Sequence, residues 1–267
     1  MFRVCLDKKA VIKMKKIKLG QLGAGYWGPN LIRNFIQLDS VDSLFVCDQD
    51  ALRLDYIKKL YNGKIQITQN ESEIFSDPSI DGVVIALPAG IHFDYVKKAL
   101  QSEKHVLVEK PLTMKVSEAD ELLDLAKRNK RKIMVGHTFL YNAAVLKVKE
   151  LIQQNALGEI YYIFSHRLNL GRVRSDVNVL WNLAPHDISI ILFWFDEMPN
   201  AISAKGLSFL QEGIEDVAFL MLQFPSGRSA HVHVSWLDPS KSRKMVIVGS
   251  KKMLVYDDVS VDQKITI

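Results

Sequence analysis

Between Ile17 and His137 the chain repeats one pattern: a short apolar run rich in β-branched residues, a break, then a stretch whose apolar residues recur at helical spacing. The runs are IKLGQL, SLFVCD, DGVVIAL, HVLVEK and KIMVGH, and the helical stretches cover 31–38, 51–61, 92–102 and 117–128. Strands alternating with helices specify a parallel sheet, because parallel neighbours need a crossover connection. Right-handed crossovers then place helices on both faces. The pattern predicts a doubly wound α/β domain over residues 16–139.

After His137 the rhythm changes. AVLKVKELIQQ reads as a helix, EIYYIFSHRLNL as a strand and LAPHDISIILFWF as a strongly apolar helix. ISAKGL, DVAFLMLQF, SAHVHVSW, KMVIVGS and KMLVYD then read as strands punctuated by PSG and DPS turns. This predicts a C-terminal α+β domain, residues 140–267, on a mostly antiparallel open sheet. Met14 opens MKKIKLG directly before the first strand, so residues 1–15 read as an extension; the chain stops at KITI, still strand-like, which reads as a truncated domain.

Composition narrows the function classes. Of 267 residues 48% are hydrophobic and 24% charged, and no apolar run approaches the length of a membrane span. MFRVCLDKKAVIKMKK lacks the apolar core of a secretion signal. Cys5 and Cys47 are the only cysteines, so no disulfide framework is expected and a reducing, cytoplasmic compartment fits. The net charge of +5 is spread along the chain, and the densest cluster, KRNKRK at 127–132, falls on a helix-to-strand turn; it reads as a solvated turn and not as a nucleic-acid stripe. His231 and His233 alternate on one strand face without a third ligand motif, so no metal is expected.

The stretch LGQLGAGYWGPNLIRNF puts Gly23, Gly25 and Gly28 between the first strand and its helix, with Asp48 ending the next strand. A GxGxxG in that context is the dinucleotide fingerprint: the first glycine allows the tight turn, the second admits a pyrophosphate, the third lets helix pack on strand, and the helix N-terminus favours the anion. The alternative is a plain strand-to-helix turn. A carboxylate at 48 accepts hydrogen bonds from ribose hydroxyls and repels a 2′-phosphate, which favours NAD over NADP; it would serve equally as a helix cap before QDALRL.

HVLVEKPLT, which places Glu109-Lys110-Pro111 after a strand, resembles the glucose-fructose oxidoreductase/inositol dehydrogenase (Gfo/Idh/MocA) family, together with GAGYWG, ALPAGIHFDYVKKAL and WNLAPHDISI. The resemblance runs from about Lys16 to the C-terminus. GYWGPNLIRNF and LGRVRSDVNVLWNLAPHD are similar to a branch associated with nucleotide-sugar and surface-polysaccharide biosynthesis, including dehydrogenases acting at C3 of UDP-N-acetylglucosaminuronate. The resemblance implies a Rossmann domain holding NAD(P), with Tyr26 and Trp27 in the turn, Leu87, Pro88 and His92 along the cofactor, and Glu109 near the nicotinamide ribose. It implies that Lys110 sits beside the reacting hydroxyl, after a cis bond to Pro111, with His186 next to it, and that copies associate as homodimers or homotetramers.

Chemistry agrees with that placement. Oxidising a secondary alcohol needs a hydride acceptor and a group that takes the hydroxyl proton, and a partly buried lysine has its pKa lowered towards that task. Arg167, Asn169, Arg172 and Arg174 stand ahead of the site, where guanidinium groups suit a carboxylate or diphosphate on the substrate; surface pairing is their alternative. Asp187 is expected to point elsewhere on the helix, and His137 and Tyr141 either border the cofactor or pack. Many family members carry aspartate four residues before the histidine, where this chain has Asn182, a residue able to orient a sugar hydroxyl but not to pass a proton. The expected activity is NAD-dependent oxidation or reduction at a sugar carbon, with a nucleotide sugar as substrate. A polyol or inositol dehydrogenase and a non-catalytic NAD-binding regulator on the same scaffold are the alternatives.

Overall fold

The computed structural model describes residues 16–61, 63–171 and 173–267, and these divide into two units. The expected extension over 1–15, Cys5 and Arg172 lie outside the described residues.

The first unit runs to Val108 and includes Lys115–Met134. In chain order it contains β1 (Ile17–Leu22), α1 (Gly28–Phe35), β2 (Val41–Cys47), α2 (Ala51–Leu60), β3 (Ile65–Thr68), α3 (Glu71–Ser76), β4 (Gly82–Ile85), α4 (His92–Gln101), β5 (His105–Val108) and α5 (Val116–Arg128), and β6 (Ile133–Val135) completes its sheet. The strand order is β3-β2-β1-β4-β5-β6. β1 pairs in parallel with β2 and β4, β2 with β3, and β4 with β5. The order reverses between β1 and β4, and that switch point is where such sheets bind ligands. β4 is buried at every residue, as a strand covered on both faces must be. Ile32 of α1 and Leu54 and Ile57 of α2 close over Leu19, Leu44 and Val46 of the sheet.

Two elements of this unit were absent from the pattern read off the sequence. β3 has only four residues, none fully buried, and α3 has six, too few for a 3.6-residue period to show. Asn70 marks the start of α3 by accepting a hydrogen bond from the amide of Ser72, a cap of the usual kind.

The second unit takes Glu109–Met114 and Val135–Ile267. In this division Val135 opens the second unit's main segment, and the EKP segment groups with that unit although it lies inside the first one's sequence. The unit contains α6 (Ala143–Gln153), β7 (Ile160–Leu168), α7 (Val179–Phe195), β8 (Ala201–Leu207), β9 (Val217–Gln223), β10 (Ser229–Ser235), β11 (Ser242–Gly249), β12 (Met253–Asp257) and β13 (Ile265–Thr266). The sheet order is β13-β12-β11-β7-β10-β9-β8, with β7 and β10 parallel and the other neighbours antiparallel. Alternation along β9 and β10 buries Ala218, Leu220, Leu222, Ala230, Val232 and Val234 beneath α6 and α7, and the core is filled by Ile190, Ile191, Trp194 and Trp236. Trp194 satisfies its indole donor on the carbonyl of Val145 at 3.0 Å.

α7 starts earlier than Pro185 suggests. Asn178 caps it by accepting from the amide of Trp181, and Pro185 lies inside the helix, where it has no N–H to offer the carbonyl four residues back. Asn182 is therefore a helical residue one turn ahead of His186 and on the same face, instead of belonging to the preceding loop. Among the described residues no helix is long and apolar enough to cross a membrane.

Candidate functional site

In the first unit the three glycines have different reasons to be glycine. Gly23 has φ +96°, a left-handed conformation, and a Cβ there would lie 2.4 Å from the carbonyl oxygen of Ala86. A Cβ on Gly28 would lie 2.4 Å from the carbonyl of Gly23, so the helix can approach the turn only without a side chain. At Gly25 a Cβ would meet only the Arg53 guanidinium, at 3.5 Å. The protein's own packing does not demand that glycine, whereas the close approach of a diphosphate does. Trp27 stands at the N-cap of α1 and offers no side-chain cap; Pro29 has no N–H and the Asn30 amide donates to the Trp27 carbonyl, so in this first turn it is the Gly28 amide, next to the turn, that is placed to meet an anion. These residues fit a dinucleotide.

Asp48 directly follows the last residue of β2. Its Oδ2 accepts from the amide of Ala24 at 2.7 Å and its Oδ1 from the amide of Asp50 at 2.9 Å, so it is aimed at the glycine turn. It does not cap α2, a role that falls to Asp50. A hollow of about 450 Å³ beside it is lined by Gly25, Tyr26, Leu52, Arg53 and Tyr56. Tyr26 is exposed and Trp27 partly so. Leu87 and Pro88 follow β4, and His92, buried at the start of α4, has Nε2 2.9 Å from the carbonyl of Leu87, so it ties this loop down. Sequence reasoning missed Gln21. Fully buried in β1, its Nε2 donates to the carbonyls of Gly23 (2.9 Å) and Gly28 (3.0 Å) and pins both ends of the turn. The available signal was an amide side chain inside an apolar strand directly before the glycines.

The second unit brings Lys110, His137, Asn182 and His186 together. Lys110-Pro111 is cis. The Lys110 Nζ donates to the carbonyl of Asn182 at 2.8 Å, next to the one Pro185 leaves without an amide partner. Burial pushes the Lys110 ammonium below the ordinary lysine range; Glu109 opposes this, and Arg174 and Arg167 add to it. The Glu109 carboxylate packs on Gly136, where a Cβ would lie 3.0 Å from it. His137 and His186 are held neutral, in each case first by burial, then by Lys110 for His137 and by Arg167, Lys110 and His137 for His186. Their Nδ1 atoms are both buried without a hydrogen-bond partner among the described residues. The Asn182 Oδ1 accepts from the indole of Trp236 at 3.3 Å. Because tryptophan only donates, this fixes the amide with its NH₂ as the remaining polar group.

The arginines depart from expectation. Arg167 does not stand open to a substrate anion: it is buried, and its Nε and Nη2 both donate to Oδ1 of Asp187. Arg174 grips Asp176 with two hydrogen bonds at an exposed position, a pairing worth little and easily exchanged. Asn169 folds its amide over Gly171. Asp187 points away from His186, as expected, but its link to Arg167 was invisible across twenty residues of sequence. His231 and His233 share one face of β10, stacked on Phe164 and Phe219 respectively, and no group of three metal-ligating side chains occurs among the described residues. Tyr141 is exposed.

Comparison with known proteins agrees with this architecture. Residues 17–137 match the family model described as an oxidoreductase family with an NAD-binding Rossmann fold, and residues 145–255 match the GFO/IDH/MocA C-terminal domain. The uncharacterized oxidoreductase YdgJ of Escherichia coli is 29% identical over 88% of this chain and 69% of its own length. The scyllo-inositol 2-dehydrogenase (NADP(+)) IolW of Bacillus subtilis is 26% identical over 81% of this chain and 62% of its own. A solved structure from Magnetospirillum magnetotacticum MS-1, named there only as a candidate oxidoreductase, superposes with a TM-score of 0.83 at 30% identity, covering 94% of this chain and 80% of that one. The chain spans between 61% and 69% of the length of the first curated relatives it matches. With a glycine cradle on a Rossmann sheet, an EKP lysine against a histidine-bearing helix, and both domain models matched, the chain belongs to the Gfo/Idh/MocA oxidoreductase family.

Proposed function

We propose that the protein is an NAD-dependent dehydrogenase or reductase acting at a secondary alcohol of a sugar, with a nucleotide sugar as substrate. The observation that carries this reading is Lys110: a half-buried amine whose proton is made easier to lose, held at 2.8 Å on the Asn182 carbonyl and grouped with two neutral histidines. NAD, when bound at the glycine turn, supplies the hydride acceptor. Lys110 takes the hydroxyl proton as the carbonyl forms, and returns it in the reductive direction. His186, uncharged, hydrogen-bonds the same hydroxyl, and the Asn182 NH₂ donates to a neighbouring substrate oxygen.

Arg174 supports a phosphorylated or carboxylated substrate, since an exposed pair with Asp176 is readily exchanged for a stronger anion. A polyol substrate is the second reading, favoured by the inositol dehydrogenase named among the relatives. The buried free thiol of Cys47 suits a reducing, cytoplasmic compartment, and the exposed Phe219 and Met221 on the outer face of the second sheet suit a homo-oligomer. The test is to profile UDP-sugars and free polyols with NAD and with NADH, following reduced-nicotinamide absorbance. Turnover of polyols alone would replace the nucleotide-sugar reading, and tight NAD binding without any turnover would replace catalysis by a binding role.

A further inference from the structure

Arg167 lies on β7 with 4% of its surface exposed. Its Nε and Nη2 donate to one oxygen of Asp187, at 3.1 and 2.7 Å. Asp187 is 1% exposed, and its other oxygen has no hydrogen-bond partner among the described residues. The flat face of the same guanidinium covers the ring of Phe139, 4.6 Å from its centroid, and Phe139 meets the imidazole of His186 edge-on at 4.9 Å. One arginine thus reaches the histidine by two routes: through the next residue on the helix and through the ring against which the imidazole packs. Successive helix residues point about 100° apart, so a grip on Asp187 fixes the rotation of α7 and with it the direction of His186.

Stability does not account for this pair. Two buried charges cost several kcal/mol each in lost hydration, and apolar residues of similar volume commonly do as well or better. The arrangement makes sense for the histidine instead. The charged and titratable groups acting most strongly on His186 are Arg167 from β7, Lys110 from the EKP segment, His137 from the segment before α6 and Arg243 from β11. All of them disfavour a charged imidazole, and the nearby carboxylate of Asp187 is turned onto Arg167.

We propose that Arg167 is a positioning residue that holds His186 in place through Asp187 and Phe139 and sets a positive charge behind the imidazole, so that the ring meets the substrate uncharged. A neutral imidazole accepts one hydrogen bond and donates another, which leaves Lys110 as the only group of the set that gives and takes the proton. This rests on the reading of His186 as a substrate-facing residue.

The experiment is an NMR pH titration of the full chain labelled with ¹³C-histidine, comparing the parent with Arg167→Gln and Asp187→Asn. In the parent, the His186 ring should titrate with a midpoint well below that of an ordinary histidine. Arg167→Gln removes the cation and leaves the carboxylate uncompensated, and should raise the midpoint by about one pH unit or more. Asp187→Asn keeps the cation and should not raise it. A folded Arg167→Gln protein with the parental midpoint overturns the proposal, and so do upward shifts of similar size in both variants, which mere loosening would produce. Should Arg167→Gln fail to fold, Arg167→Lys decides: it keeps the charge, so a parental midpoint supports the proposal and a raised one overturns it. The readout does not depend on turnover, so a protein that titrates as expected but oxidises nothing refutes the functional reading and leaves this one standing.

Discussion

Replacing Lys110 by methionine keeps the stem of the side chain and removes only its amine. Two consequences for stability oppose each other. The variant loses the 2.8 Å bond to the Asn182 carbonyl, a charge-assisted hydrogen bond of about 1.5–3 kcal/mol. It also escapes the cost of carrying a cation in a site that disfavours one. Burial places the folded pKa of Lys110 below its unfolded value. The unfolded chain therefore binds more protons between the two values, and stability rises with pH across that window. Below it the folded protein bears the full penalty, about 1.4 kcal/mol for each unit of difference. The two effects have opposite signs, so the net change in stability is smaller than the hydrogen bond alone would give. At about 2–4 °C per kcal/mol for a chain of this size, the melting temperature should move by only a few degrees. Turnover should fall about 10²–10⁴-fold, the usual effect of removing an acid or base, and NAD affinity should hold. Thermal melts, NAD titration and nicotinamide absorbance on the same preparation check all three. Near-parental turnover refutes the proton role, and a large drop in melting temperature with proportionate loss of activity shows that the lysine is structural.

Gly25→Ala should leave the melting temperature unchanged, because its Cβ meets only the flexible Arg53 end at 3.5 Å, yet weaken NAD binding; Gly28→Ala, with 2.4 Å to a backbone oxygen, should cost about 1–3 kcal/mol of stability as well. Calorimetry with and without NAD separates the two, and equal behaviour contradicts the cradle. NAD should bind more tightly than NADP, and Asp48→Ser should narrow the difference while loosening the turn that Asp48 holds through the amide of Ala24. Tighter NADP binding by the unmodified protein removes that role. Asn182→Asp introduces a carboxylate one helical turn from His186, which favours the imidazolium, so the pH profile of turnover should move upward; an unchanged profile puts position 182 outside the proton path. Stability should fall on acidification below about pH 6.5. There the unfolded histidines take up protons that His186, His137, His166 and His233, all held low chiefly by burial, refuse. Urea melts at several pH values check it, and a rise in stability would contradict it.

What could be read from the sequence was whatever the backbone alone dictates. Gly23 and Gly28 are legible because φ +96° and a 2.4 Å approach leave no other choice of residue, and β4 and β10 because burial on two faces or one stamps its period on the residues. Elements shorter than that period, β3 and α3, left no mark. The start of α7 was misplaced because Pro185 looks like a first-turn proline, while the true signal, the cap at Asn178, is a single residue in a polar loop. Lys110 and His186 were reached through the resemblance. The pair of Arg167 and Asp187 and the amide pin at Gln21 are tertiary facts: each residue is unremarkable until the fold sets it against its partner.

Hydride transfer between NAD and a sugar alcohol, with Lys110 carrying the proton, is the proposed reaction. The most direct test mixes purified protein with NAD and a panel of UDP-sugars, UDP-uronates and inositols and records reduced-nicotinamide absorbance, beside Lys110→Met under the same conditions. A rise is expected with at least one sugar for the parent protein and its near abolition in the variant, with NAD affinity equal in both. Contradiction would be an equal rise in both proteins, or no rise with any substrate in either direction from a protein that binds NAD.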